Sequence, residues 1–203
     1  MYSIRGCGFI KGGIFVKLNP YYTNRELKEI GFKSLGRNVL ISRTCRIYTP
    51  DLISIGNHVL IDDFTILNGE INIGDHVHIS SNDELYAGEA SITIMDYCGI
   101  SSRCSFYATS DDFSGASMNN PTVPKAFRFE KNLPIVLEKH VLIGTGCSIM
   151  PGVTLGEGCS FGSMTLINKS TEPWGIYIGS PARRIRDREK GLLELEKKLT
   201  GGR

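Results

Sequence analysis

Four histidines, six cysteines and an adjacent pair of aspartates are the side chains in this 203-residue sequence with the widest chemical reach. His58, His76 and His140 each precede a valine, in NHV, DHV and KHV, and His78 stands two places after His76. An imidazole is the usual general base near neutral pH. Three histidines in one recurring context, however, hold equivalent places in a repeat, and equivalent places cannot all be the single base of a site. The cysteines form no CxxC pair, which gives metal ligation little support. The one GxSxG match, GCSFG at 158–162, falls inside the hexad repeat rather than at a strand-to-helix elbow, so a nucleophilic serine has little support. Asp111 and Asp112, in SDDFSG, open a segment that lacks histidine. Carboxylates there either orient a reacting group or make an Asx turn before Phe-Ser-Gly.

The elements that must position these groups follow from a period of six. Large apolar residues recur at Ile55, Ile61, Leu67, Ile73, Ile79 and Leu85, and again at Leu137, Ile143, Ile149, Leu155, Phe161 and Ile167. Shorter phases hold Leu35, Ile41 and Ile47, then Ile94, Ile100 and Phe106. This period is neither helical nor alternating. In IGNHVL, IGDHVH, LEKHVL, IGTGCS and LGEGCS a small or polar residue follows the aliphatic one, and a second small or apolar residue fills the fifth place. Cys45, Cys98, Cys104, Cys147 and Cys159 share that fifth place, which makes them soft core fillers in a reducing compartment; Cys7 alone lies outside it. Three hexads make a triangular turn of about 18 residues. The fold class expected is all-β: a parallel β-helix of hexapeptide repeats, with a long inserted loop and a short helix at each end.

The repeat breaks twice. A bulge carrying AGEAS, with Glu89, lies between Leu85 and Ile94, and an extended loop of about residues 107–136 lies between Phe106 and Leu137. The loop is rich in Ser, Asn, Pro and Gly, shows no helical or strand period, and has the length of a functional or disordered segment. Thr23 followed by Glu26 is a capping box that opens a short helix. Pro181 is expected to open another, continuing through RRIRDREKGLLELEKKL with Ile185, Leu192, Leu193 and Leu195 as its apolar face. The organisation is then an N-terminal extension and capping helix (1–34), a β-helix domain (35–180) and a C-terminal helix (181–203).

Composition excludes other classes. With 23 Lys+Arg against 21 Asp+Glu, the chain has no basic excess for nucleic acid. No apolar run of about 18 residues would span a membrane, and the first residues are too broken by Gly and Lys for a signal peptide. A cytoplasmic protein is expected.

The block EKHVLIGTGCSIMPGVTLGEGCSFGSMTLINKS, with GIYIGSPARRIRDR after it, resembles the signature of left-handed β-helix acyltransferases that use acyl-coenzyme A, over about Leu35 to Arg186. The stretch ISSRCSFYATSDDFSG, with NNPTVP, is similar more closely to the dTDP-4-amino-4,6-dideoxyglucose (dTDP-viosamine) N-acyltransferases, which modify nucleotide-linked amino sugars for bacterial surface glycans such as O-antigen. The resemblance implies a left-handed prism and a homotrimer with active sites between subunits. It also implies acetyl-coenzyme A or another acyl-coenzyme A as co-substrate, and no metal. Gly144, Thr145, Ser163 and Ile167 would line the pantetheine, and Lys169, Arg183 and Arg186 would meet the phosphates. For Gly144 and Ser163 corner geometry alone is the alternative; for the arginines it is a solvated face.

The resemblance also assigns Asp111 to hydrogen-bond the attacking amine, with Ser101 as a polar contact nearby and Arg103, Asp112 and Glu89 around the substrate. Tyr107, Phe127, Arg128 and Phe129 either stack on thymine and pair with pyrophosphate, or bury the loop against a neighbouring chain. Trp174 packs at the end of the prism or beside the coenzyme's adenine. O-acetylating relatives place a histidine in or beside the long loop; none stands between Tyr107 and Val136 here. A neutral amine needs no base to attack a thioester, and the departing sulfur can take its proton. O-acetylation of a saccharide, or a non-catalytic β-helix scaffold, are the alternative functions.

Overall fold

A computed structural model describes residues 8–11, 14–17 and 19–201. Short parallel strands stack into three flat faces of a triangular prism. Face one holds Leu40–Ile41, Leu60–Ile61, His78–Ile79, Gly99–Ile100, Leu142–Ile143, Ser160–Phe161 and Gly175–Ile178. Face two holds Arg46–Ile47, the first halves of Ile66–Ile73 and Glu84–Ile94, then Ser105–Tyr107, Ser148–Ile149 and Leu166–Ile167. Face three holds Ser34–Leu35, Ile53–Ile55, the second halves of the two long strands, Ile135–Leu137 and Thr154–Leu155. The period of six is thus one face of the prism.

Registered pairing puts like residues above one another. Ile41, Ile61, Ile79, Ile100, Ile143, Phe161 and Tyr177 form one inward column, each at most 7% exposed. The five cysteines in the fifth place are free and buried among these columns, and burial pushes the Cys45 and Cys98 thiols up to about 12. Cys7 lies outside the described residues.

The corners explain the recurring histidines. Between faces three and one, Asn38, His58, His76, Tyr97, His140, Gly158 and Trp174 occupy the same left-handed backbone position, with φ between 57 and 67°. Bulky residues there are strained, and stacking offsets the cost: the His58–His76, His76–Tyr97 and Tyr97–His140 centroids lie 4.7, 5.1 and 5.1 Å apart. Trp174 ends this column, with the Lys190 ammonium 5.2 Å over its ring.

At the N-terminal end, α1 (Asn24–Ile30) is closed by the Thr23–Glu26 capping box and by Gly31 at φ 86°, and seals the first coil with the buried Leu27. The C-terminal expectation needs correction. Residues Arg183–Asp187 form a strand antiparallel to Gly175–Ile178, and the helix α2 covers only Leu192–Leu199. The open edge of face one supplies unpaired backbone groups, and pairing them outweighs local helix propensity. Ile185 and Leu195 stay exposed, so the foreseen apolar face is not buried. The end is held by polar contacts instead. Glu196 accepts from Lys139 (3.0 Å) and pairs with His140 (2.7 Å), and the Arg188 guanidinium donates to the carbonyls of His140, Gly158 and Cys159 (2.8, 3.0 and 3.3 Å).

The inserted loop leaves from the corner between faces two and three, and it is more ordered than its composition implies. Thr109–Asp111 pairs antiparallel with Glu130–Asn132, and the Leu133 N–H donates to Ala108 O at 2.9 Å, closing its base. Among the described residues, no helix is long and apolar enough to cross a membrane.

Candidate active site

The corner between faces one and two brings several of the singled-out residues onto one edge. Ser101 and Arg103 follow the strand Gly99–Ile100; Gly144 and Thr145 hold the same corner one coil on, and Ser163 the coil after that. Backbone bonds lock the stack: Ser101 N–H to Ile143 O (2.9 Å), Gly146 N–H to Ser102 O (3.1 Å), Gly144 N–H to Phe161 O and Met164 N–H to Thr145 O (both 2.8 Å). A Cβ on Gly144 would lie 2.7 Å from Ser163 N, so coil stacking alone demands glycine there. Among the described residues the hydroxyls of Ser101, Thr145 and Ser163 bond no protein group, and Thr145 and Ser163 are exposed. Arg103, at φ 64°, projects from the corner as an exposed cation.

Ile167 needs correction. Its side chain is fully buried, a member of the inward column of face two, so only its backbone could face a ligand. Lys169, Arg183 and Arg186 are exposed and, among the described residues, make no ion pair. Ala182 N–H donates to Leu166 O (2.8 Å), which sets Arg183 beside the last coil of face two. The edge therefore carries free hydroxyls along its length and unpaired cations at its C-terminal end, a surface suited to a neutral chain ending in phosphates.

The loop separates the two aspartates. Asp112 Oδ1 accepts from Ser114 N–H (2.9 Å), and Oδ2 from Ser117 N–H (3.0 Å) and Ser117 Oγ (3.1 Å). These bonds hold its carboxyl at about 2. Asp112 is thus the turn residue, its carboxylate engaged in the loop's own hydrogen bonds. Half-buried Asp111 ends its strand opposite Glu130 and, among the described residues, accepts only a long bond from Asn120 N–H (3.4 Å). Both line a small cavity with Phe113, Gly115, Ser117, Met118 and Asn119, which Ser101 does not join.

Two further candidates are also committed to the loop's own fold. Glu89, in the bulge, pairs with Lys125 across the loop, and that ammonium holds its carboxyl below the usual range. Arg128 donates to Val123 O (3.1 Å) and pairs with Glu130, so its guanidinium is turned inward. Tyr107 stacks on Tyr86 at 5.6 Å and donates to Glu84 at 3.3 Å. Tyr86 and Glu84 were not singled out from the sequence, although ELY and SFY occupy matching places in successive hexads. Phe113, Phe127 and Phe129 are 92, 64 and 62% exposed on the loop.

Three of the four histidines lie apart from this arrangement. His58, His76 and His140 form the ladder at another corner, His140 bound to Glu196. His78, one coil below Gly99 on face one, is bound to Asp62 at 2.8 Å. Among the described residues no cluster of His, Cys, Asp and Glu could hold a metal.

Residues 134–169 match the family of bacterial transferase hexapeptides (six repeats). The dTDP-4-amino-4,6-dideoxy-D-glucose acyltransferase of Escherichia coli is 41% identical over 179 residues, 87% of this chain and 93% of that protein. Among solved structures, AntD, an N-acyltransferase from Bacillus cereus in complex with dTDP and 3-hydroxybutyryl-CoA, is 44% identical with a TM-score of 0.89, covering 91% of this chain and 98% of that one. A hexapeptide-repeat acetyltransferase from Vibrio cholerae, complexed with acetyl coenzyme A, is 25% identical with a TM-score of 0.59, covering 82 and 76% of the two chains. Likeness of this extent, on the same parallel prism, makes this chain a member of the hexapeptide-repeat acyltransferases, in the family of the dTDP-4-amino-4,6-dideoxy-D-glucose acyltransferase.

Proposed function

We propose that this protein transfers an acyl group from acyl-coenzyme A to the 4-amino group of a dTDP-linked 4-amino-4,6-dideoxy sugar. The observation that carries the reading is the nearly uncommitted Asp111 carboxylate on a loop without histidine, in a chain whose hydroxyl-lined edge ends in free cations. Solved structures of AntD with dTDP-4-amino-4,6-dideoxyglucose and coenzyme A support it. The serine and the aspartate substituted in AntD variants are ten residues apart, the same interval that separates Ser101 from Asp111.

In the reaction the neutral amine attacks the thioester carbonyl, forming the C–N bond and a tetrahedral oxyanion. Asp111 accepts a hydrogen bond from the amine and favours the positive charge that grows on nitrogen. Collapse breaks the C–S bond, and the departing thiolate takes the ammonium proton, so no side chain changes protonation. Thr145 and Ser163 line the pantetheine, and Lys169, Arg183 and Arg186 meet the coenzyme phosphates. Ser101 lies on one corner and Asp111 on a loop from the next, with exposed phenylalanines around it. Sites completed between the subunits of a homotrimer suit that separation. The product would feed bacterial surface-glycan synthesis, including O-antigen, from the cytoplasm.

Incubation with acetyl-coenzyme A and a thiol-detecting dye, with and without dTDP-4-amino-4,6-dideoxyglucose, tests the proposal. Thiol release that requires the amino sugar is expected. Release with a neutral saccharide instead would indicate O-acetylation, and no release with either would indicate a scaffold.

A further inference from the structure

We propose that Asp83 is a positioning residue for this site: an uncharged carboxylic acid inside the prism that fixes the corner carrying Ser101 and Arg103. The role rests on the assignment of Ser101 to the acceptor site made above.

Beneath that corner, the inward fifth places of successive coils read Cys45, Thr65, Asp83, Cys104, Cys147 and Thr165. Asp83 is the one fully buried carboxyl group among the described residues. Its neighbours in the column bond within their own coil or to the coil that follows by hydroxyl or thiol: Thr65 Oγ1 donates to Ser80 O (2.8 Å) and Thr165 Oγ1 to Gly162 O (2.6 Å). Asp83 acts on the backbone of the next corner. Its Oδ1 accepts the Cys104 N–H at 2.7 Å. At the equivalent position in the first coil the Cys45 N–H closes on Ser42 O within its own turn (3.1 Å). The Ser101–Cys104 turn is therefore tied from below by a side chain, and its Ser101 carbonyl accepts the Cys104 thiol at 2.9 Å.

The second carboxyl oxygen, Oδ2, has no hydrogen-bond partner among the described residues. A carboxylate with one bond and no solvent would be far more costly there than a neutral acid. The titratable groups facing it are Cys104 above and Asp62 below, the latter bound to His78. Neither supplies a stabilising cation in contact. Burial, with a smaller contribution from the Asp62 charge, raises the Asp83 carboxyl to about 8. Ionisation above that pH puts an unpaired charge into the apolar prism, and the water needed to solvate it loosens the corner.

Three measurements test this. Infrared difference spectra at pH 7 should show the carbonyl stretch of a neutral carboxyl group that Asp83→Asn removes; absence of that band overturns the proposal without reference to catalysis. Asp83→Asn keeps an acceptor for Cys104 N–H and cannot ionise. The ratio of its kcat/KM to that of wild type should rise by about tenfold per pH unit above pH 8, with the shared titration of the substrate amine cancelling. A ratio flat to pH 10 overturns the proposal. Asp83→Val removes the acceptor and should lower kcat at pH 7 by about tenfold or more with KM for acyl-coenzyme A little changed; a folded Val variant with wild-type kcat would also refute it. Full turnover in Ser101→Ala would sink the assignment of Ser101, and the positioning role with it, while leaving the infrared band in place.

Discussion

Arg188 ties the C-terminal segment to the prism, and its replacement by Met allows the strength of that tie to be worked out. One guanidinium nitrogen, Nη1, donates to three carbonyls, those of His140, Gly158 and Cys159. The Cys159 carbonyl also accepts the Leu142 N–H at 2.9 Å and keeps a partner when the guanidinium is gone. His140 O and Gly158 O have no other partner among the described residues, so the substitution leaves two half-buried acceptors unmade. Each unmade acceptor costs about 1–3 kcal/mol. Met preserves most of the apolar stem, and water entering the gap recovers part of the loss. A destabilisation of about 2–4 kcal/mol is expected, which for a chain of this size lowers Tm by about 5–12 °C. Differential scanning calorimetry reads the shift. Hydrogen exchange should locate it in α2 and in Arg183–Asp187, with the central coils unchanged. KM for acyl-coenzyme A should rise as well, because Arg183 and Arg186 share the loosened strand. A Tm within 2 °C of wild type, or exchange that quickens uniformly along the prism, would refute the reasoning.

Other outcomes follow from the same contacts. Asp111→Asn should lower kcat/KM by about 10²–10³-fold, ~3–4 kcal/mol, measured by coenzyme release; a rate near wild type would remove Asp111 from the mechanism. Replacing His58, His76, His78 and His140 singly by Ala, in variants that stay folded, should leave kcat within about tenfold; loss of all turnover in one of them would restore an imidazole base. Burial raises the folded Asp83 carboxyl to about 8, above its ordinary value of 3.8. The Asp83 contribution to stability is then greatest below about pH 4 and is lost as pH rises toward 8, by about 4 kcal/mol at pH 7. Unfolding curves of wild type and Asp83→Asn should therefore meet near pH 4 and diverge by pH 8 in favour of the variant, and parallel curves would count against a buried neutral acid.

Much of this architecture is legible in the sequence because the prism repeats. A period of six aliphatics, a fifth place open only to small side chains and corners that tolerate left-handed backbone leave a mark in every coil. The equivalence of His58, His76 and His140 is legible in that regularity, and their stacking at one left-handed corner is its physical counterpart. What escaped depends on partners far along the chain. Arg183–Asp187 reads as helix locally, yet an open sheet edge some ten residues earlier makes it a strand. The Glu89–Lys125 and Arg128–Glu130 pairs, which take two expected substrate contacts into the loop's own fold, depend on a path that no period encodes. Asp83 was visible in principle, since an acid at an inward place breaks the pattern around it.

The closure of the loop has a consequence for how this molecule can change. Ala108 and Leu133, at the two ends of the excursion, are hydrogen-bonded neighbours, and the coils on either side remain in register across it. The two dozen residues between them meet the prism at the adjacent bulge, where Glu89 pairs with Lys125. Mutation can lengthen, shorten or exchange that segment while the hydroxyl-lined edge stays intact, so on the proposed reading recognition of the acceptor is free to diversify over a fixed donor surface. One scaffold can thereby give rise to enzymes that share a thioester and differ in the amine they acylate.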